Sequence, residues 1–282
     1  MTNSNIARIG MVNFINTAPI YEMWKEKVHP QNWQVVEAVP TVLNRMLAEG
    51  ELDLGFVSSH EYGRLPESYR LLADLSISAN GPVGSVFLFS HCSPNELDGQ
   101  LVLLSGQSQT SVYLLKIILE EFYGVCPVFQ VGDVREATRK GWAGAGVLAI
   151  GDDALRLQGT EQFPWKLDLG EVWKEHTNLP FVFAVFAVRE EFCRDYPDLL
   201  AQIHRELVRC RHQGLCELEL VSRLVAPRIP MDPELCFDYL QGIEHDLDLT
   251  KQQALNRFFQ YLIARGEASQ AALPLKIVPL KP

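Results

Sequence analysis

The chain has 282 residues, 47% of them hydrophobic and 21% charged, with a net charge of −10. That length predicts about two domains, and the composition is that of an ordered, water-soluble chain rather than a disordered or low-complexity one. The acidic balance argues against nucleic acid or an anionic membrane as a partner, yet leaves room for a small anion held by a local cluster of donors.

Residues 7–12 predict a short buried strand, broken at Asn13-Phe14-Ile15-Asn16-Thr17-Ala18-Pro19. Pro19 suits the first turn of a helix running through Tyr21, Trp24 and Val28. Residues 33–39 alternate like a strand, and 40–50 form a helix with Leu43, Met46 and Leu47 on one face. Residues 54–57 are a buried strand ending at Ser58-Ser59, followed by strands at 71–77 and 83–90. Gly81-Pro82-Val83-Gly84-Ser85 is a constrained turn into the last of these. A fresh series follows: strand 101–104, helix 111–123 capped by Gly124, strand 128–131, helix 134–141, strand 147–150 and helix 152–157. Residues 181–188 are a long buried strand. Everything after Arg189 reads as helical, at 197–224, 233–245 and 250–266, with no sheet partner of its own, and packs back on the first domain.

Alternating strands and helices predict mostly parallel sheets covered on both faces. The chain leaves its first β/α series once and returns to it once. Lobe one is therefore expected at 1–91 plus 181–282, and an inserted lobe two at 92–180. Two α/β lobes joined by two crossings define a two-lobed, periplasmic-binding-protein-like (type II) fold with a helical C-terminal tail. Its ligand sits between the lobes, where strand ends and helix starts converge.

Candidate donors concentrate at such helix starts. Ser108-Gln109-Thr110-Ser111 follows the strand at 101–104. One polar residue suffices for an N-cap; four in a row favour a cradle for a carboxylate. Ser58-Ser59-His60-Glu61 is either a capping box or a second cradle. Asp152, after Gly151, is an N-cap or a group that orients a hydroxyl, and Ser85 is a turn residue or a buried strand serine. His212 and Cys216 lie four apart on a helix without a second pair, so no metal site is expected. No GxSxG elbow, P-loop or strand-linked GxGxxG is present, and no cofactor is expected. The six cysteines form no CxxC pair. Residues 1–5 do not open an export signal, and no apolar run reaches the length of a membrane span, so reduced thiols and a cytoplasmic location are expected.

An ordered set of segments resembles a known family. It opens with Arg8-Ile9-Gly10 and Val12-Asn13-Phe14-Ile15-Asn16-Thr17-Ala18-Pro19, and continues through Ser58-Ser59-His60-Glu61-Tyr62 and Ser76-Ile77-Ser78-Ala79-Asn80-Gly81-Pro82-Val83-Gly84-Ser85-Val86. Next come Ser108-Gln109-Thr110-Ser111-Val112, Ile150-Gly151-Asp152-Asp153-Ala154-Leu155, Asp168-Leu169-Gly170-Glu171-Val172-Trp173 and Leu179-Pro180-Phe181-Val182-Phe183-Ala184. Together these are similar to the chorismate dehydratases of the futalosine route to menaquinone; the helical tail adds little. Asn178 stands where that family tends to have a glycine. The sister dihydroxynaphthoate synthases resemble the chain too, but use a catalytic histidine where Gly151-Asp152 stands here.

The resemblance implies a carbon–oxygen lyase that removes water from chorismate to give 3-(1-carboxyvinyloxy)benzoate. The alternatives are the sister synthase activity and a non-catalytic small-anion binding protein. His60, Glu61 and Asp152 are the titratable groups nearest the matched segments, each with an ordinary capping or surface role, so the substrate's side-chain carboxylate is expected to act as the base. Asn16 is expected to orient the reacting groups and Ser85 to assist the leaving hydroxyl. Thr17, Ser58, Ser59, Ser108, Gln109, Thr110, Ser111, Gly151 and Asp152 are expected to contact the substrate.

Overall fold

The computed structural model of the chain describes residues 6–229 and 231–279. Residues 1–5, read above as no export signal, lie outside the described residues. The strands in chain order are β1 (Ala7–Val12), β2 (Trp33–Ala38), β3 (Leu54–Ser58), β4 (Tyr69–Ala79), β5 (Val86–Ser90), β6 (Leu101–Ser105), β7 (Val128–Gly132), β8 (Gly146–Ile150), β9 (Trp165–Asp168), β10 (Phe181–Arg189) and β11 (Ile277–Val278). They form one sheet of order β11-β4-β10-β3-β1-β2 and a second of order β7-β6-β8-β5-β9. Every residue of β3, β5 and β8 is buried, as expected for sheets covered on both faces. The period of two shows in β5: Val86 and Leu88 join the main core, while Phe87 and Phe89 join a second core with Val147, Ala149 and Phe163.

The sheets are mixed rather than mostly parallel. β1 runs parallel to β2 and β3, and β6 parallel to β7 and β8. β10 runs antiparallel to both β3 and β4, and β5 antiparallel to both β8 and β9. β5 and β10 are the strands that enter a sheet from the other one, so each arrives against its neighbours' direction. The pairing of β5 also moves the expected lobe boundary. Val86–Ser90 belongs to the second sheet, so the first crossing is Asn80 to Ser85 rather than the stretch after position 91. The strand starts late because Gly84, at φ +69°, turns the chain just before it. Ser85 is thus a crossing residue, not a strand residue.

The helices are α1 (Ala18–Lys27), α2 (Pro40–Ala48), α3 (Ser59–Arg64), α4 (Gln109–Ile117), α5 (Val134–Lys140), α6 (Gly151–Gln158), α7 (Leu169–Thr177), α8 (Glu190–Asp195), α9 (Pro197–Cys216), α10 (Leu218–Val225), α11 (Pro233–Gln241) and α12 (Leu249–Ala264). α4 passes into a π-helical turn at Ile118–Phe122 before Gly124 ends it at φ +68°. β9 and α7, which no periodicity announced, complete the second lobe. Asn178 caps α7 at φ +57°; asparagine tolerates this left-handed conformation, which explains how it replaces the family's glycine.

The tail departs from the expected run of helices. Its first stretch divides at Glu217 into α9 and α10, and α9 packs along α1. Its second stops at Gln241, after which the chain runs beside β4. Ser78 and Glu244 exchange backbone hydrogen bonds at 2.9 and 2.8 Å, and the Ser76 N–H donates to the His245 carbonyl at 3.0 Å. β11 adds to the same edge. The tail therefore has a sheet partner, contrary to expectation, and that partner fixes His245 beside the first lobe.

Candidate active site

A narrow cavity of about 50 Å³ lies between the two sheets. Asn16, Thr17 and Ser58 enter it from the first lobe, Ser108, Ser111 and Gly151 from the second, and Ser85 from the crossing segment. The rest of its wall is apolar, including Val12, Phe14, Ile77, Ile150 and Phe183. Among the described residues that line it, none is ionisable at neutral pH. Ser58 of one expected cluster and Ser108 and Ser111 of the other therefore line one cleft from opposite sides.

Three serines share one arrangement. Ser58 Oγ accepts from Asn44 Nδ2 at 2.8 Å. Ser85 Oγ accepts from the Tyr239 hydroxyl at 2.9 Å. Ser111 Oγ accepts from the Ser108 hydroxyl at 3.1 Å, while Ser108 Oγ caps α4 by accepting from the Ser111 N–H at 3.2 Å. Each of the three hydroxyls has thus been given a proton to accept, and its own remains to donate. All are buried, where a donor aimed at an anion counts for more than in water. The site is a ring of polarised neutral donors rather than a cationic clamp.

Asn16 lies in the turn between β1 and α1. Thr17 shapes that turn by donating its hydroxyl to the Val12 and Phe14 carbonyls, both at 2.8 Å, so it lines the cavity without a proton to spare. The Asn16 carbonyl accepts from His245 Nε2 at 2.7 Å. Burial lowers the His245 pKa to about 4, so the ring is neutral at pH 7. Because a carbonyl only accepts, the proton is on Nε2. The Asn16 side-chain oxygen is buried without a hydrogen-bond partner among the described residues, the state of a group that a ligand would satisfy. Gly151 sits opposite. Its φ of +54° favours glycine, and a Cβ there would stand 3.0 Å from the Phe14 ring.

Four expected contact residues do other work. Ser59 is fully buried and donates its hydroxyl to the Val182 carbonyl at 2.7 Å. Thr110 Oγ1 accepts the His60 N–H at 2.9 Å, and Gln109 Oε1 accepts from Asn44 Nδ2 at 3.1 Å. Both residues therefore stitch lobe to lobe. Asp152 is not among the residues that line the cavity; it accepts the Ile15 N–H, its Oδ1 is buried without a partner among the described residues, and burial raises its pKa. Ser58 makes no side-chain cap, and Glu61 pairs with Arg64 at 2.8 Å and Tyr69 at 3.2 Å, so the capping box at 58–61 does not form. Asn44, Tyr239 and His245 were not legible as site residues. The second and third come from the tail, and no local motif marks them.

Two lobes, two crossings and an uncharged donor-lined cleft define a periplasmic-binding-protein-like fold. AF1704 of Archaeoglobus fulgidus shares it at a TM-score of 0.70 and 21% identity, covering 94% of this chain and 99% of that one. The alkanesulfonate-binding protein SsuA of Xanthomonas axonopodis, solved with MOPS, shares it at a TM-score of 0.71 and 13% identity, covering 98% of each chain. The model of a family described as menaquinone biosynthesis matches residues 7–264. The chorismate dehydratase of Thermus thermophilus is 33% identical over 274 residues, 90% of this chain and 94% of that protein. That of Campylobacter jejuni is 30% identical over 182 residues, 63% of this chain and 66% of that one. The chain belongs to this menaquinone-biosynthesis family, and it is a dehydratase, a hydro-lyase.

Proposed function

We propose that the protein removes water from chorismate to give 3-(1-carboxyvinyloxy)benzoate, with the substrate's side-chain carboxylate taking the proton. The ring carbon that bears the ether loses its proton, the neighbouring carbon loses its hydroxyl, and the ring becomes aromatic. The observation that carries this reading is the absence of an ionisable group from the described lining of the cleft. Neutral hydroxyls hold a carboxylate without depressing its basicity as a guanidinium would. A carboxylate in such a wall, out of water, is a stronger base than one in solution, and an adjacent ring proton is within its reach. Ser58 and Ser111, on opposite walls, supply donors for the two carboxylates, and Ser85 supplies one for the departing hydroxyl.

Incubating the purified protein with chorismate tests the reading: an aromatic product should form without added metal or cofactor. Tight binding with no turnover would instead make the cleft a receptor. Asp152→Asn probes the choice of base. The carboxamide oxygen still accepts the Ile15 N–H, so the rate should stay within about threefold of the parent. A near-complete loss of turnover with the fold intact would make Asp152 the base and sink the substrate-assisted scheme.

A further inference from the structure

We propose that Tyr239, on tail helix α11, is a positioning residue that fixes the Ser85 hydroxyl as a donor to the leaving group. This rests on the role given to Ser85 above. Ser85 is pinned from three directions. Upstream, Asp168 accepts the Val83 N–H at 3.0 Å and the Gly84 N–H at 2.7 Å, which holds the crossing segment against the second lobe. On its own main chain, the Ser85 carbonyl accepts the Gly151 N–H at 2.7 Å, tying it to the start of α6. Its side chain is met from the opposite side by the Tyr239 hydroxyl at 2.9 Å.

Main-chain anchors fix where Ser85 is, but not where its proton points. A serine hydroxyl rotates freely unless an acceptor or a donor selects one setting. Tyr239 selects it. With the Oγ lone pair engaged by the phenol, the serine proton turns toward the cavity that Ser85 lines. The tyrosine ring is packed against Gly84, where a Cβ would stand 3.3 Å from it. Burial raises the Tyr239 pKa, so the phenol stays protonated and donating across the working pH range. No proton leaves Tyr239 in this scheme; it only orients its neighbour.

The test is a double-mutant cycle in the full chain, following chorismate turnover with Tyr239→Phe, Ser85→Ala and the pair. Phenylalanine keeps the ring packing and removes one oxygen. Tyr239→Phe alone should lower kcat roughly tenfold, the size of one hydrogen bond, with KM and the thermal midpoint little changed. In the Ser85→Ala background it should cost nothing more. An unchanged kcat in Tyr239→Phe, with Ser85→Ala impaired, overturns the role of Tyr239 alone. An equal loss in both backgrounds overturns it too, by showing a structural effect that bypasses Ser85. Normal turnover by Ser85→Ala would instead remove the reading of Ser85 on which the role of Tyr239 depends.

Discussion

Asn16→Leu should lower kcat by about two to three orders of magnitude while KM moves only a few-fold. Leucine keeps the branched outline of asparagine, with bulkier methyl groups in place of the carboxamide oxygen and nitrogen, so apolar substrate contacts survive. What disappears is a carboxamide whose oxygen is buried and has no partner among the described residues. Keeping such an oxygen unsatisfied costs on the order of 1–3 kcal/mol. A fold retains that cost most readily where the reacting molecule relieves it. The main chain behind it is not left to drift: Thr17 holds the turn from one side and His245 holds the Asn16 carbonyl from the other. A rigid backbone with an unsatisfied side chain is a preorganised donor–acceptor pair, and removing one such group commonly costs about 10² to 10³ in rate. Steady-state kinetics of the purified variant checks this. Turnover at the parent rate would show that Asn16 only lines the cleft.

The arrangement also explains why some residues in the recognised segments do not touch the cavity. Thr110 and Gln109 lie in the same polar run as Ser108 and Ser111. A helix start presents its residues around an arc, however, and only part of the arc faces inward. Ser108 and Ser111, three apart, share the inward face. Thr110 and Gln109 point across to α3 and α2, where they accept from His60 and Asn44. The same run of sequence lines the cavity on one side and ties the lobes together on the other.

The part of the fold built from local periodicity was legible in the sequence: the buried runs of β3, β8 and β10 and the helix start at 108–111 could be read directly. Strand direction was not, because β5 and β10 look like any other apolar run and only the crossing connections reverse them. The boundary between lobes was missed for a related reason. The left-handed turn at Gly84 assigns β5 to the second sheet, and glycine in a sequence does not state its φ. For the site, the first-lobe and second-lobe donors were visible as polar residues at strand ends. Their partners were not. Asn44 is an interior helix residue, while Tyr239 and His245 lie more than 150 residues beyond the positions they touch, at separations of 154 and 229. Contacts at that range come from packing of the tail, which has no signature in a single sequence.

Gly214→Ala should be among the most destabilising single changes in the chain, although it replaces glycine by the best helix former inside α9. On propensity alone the exchange would gain about 1 kcal/mol. The packing term is opposite in sign and larger. A Cβ at this position would stand 1.7 Å from the Pro19 carbonyl oxygen and 2.5 Å from its carbon. These are main-chain atoms in the first turn of α1 and have no rotamer to retreat into. α9 must therefore move off α1, opening the interface beside buried Ile20 and Trp24. Overpacking against side chains costs roughly 1–3 kcal/mol, and a clash with backbone belongs at or above the top of that range. For a chain of this size, about 3 kcal/mol lowers the thermal midpoint by roughly 5 °C. Gly159→Ala is the control, because there the nearest atom to a new Cβ is 3.7 Å away; its midpoint should stay within about 2 °C of the parent. The two substitutions also separate stability from chemistry. α1 begins directly after Asn16 and Thr17, so displacing it moves the turn that carries the Asn16 carboxamide. Gly214→Ala should therefore lose kcat even at temperatures where it remains folded, whereas Gly159→Ala should not. A Gly214→Ala protein as stable and as active as the parent would mean that the two helices are not packed at this distance.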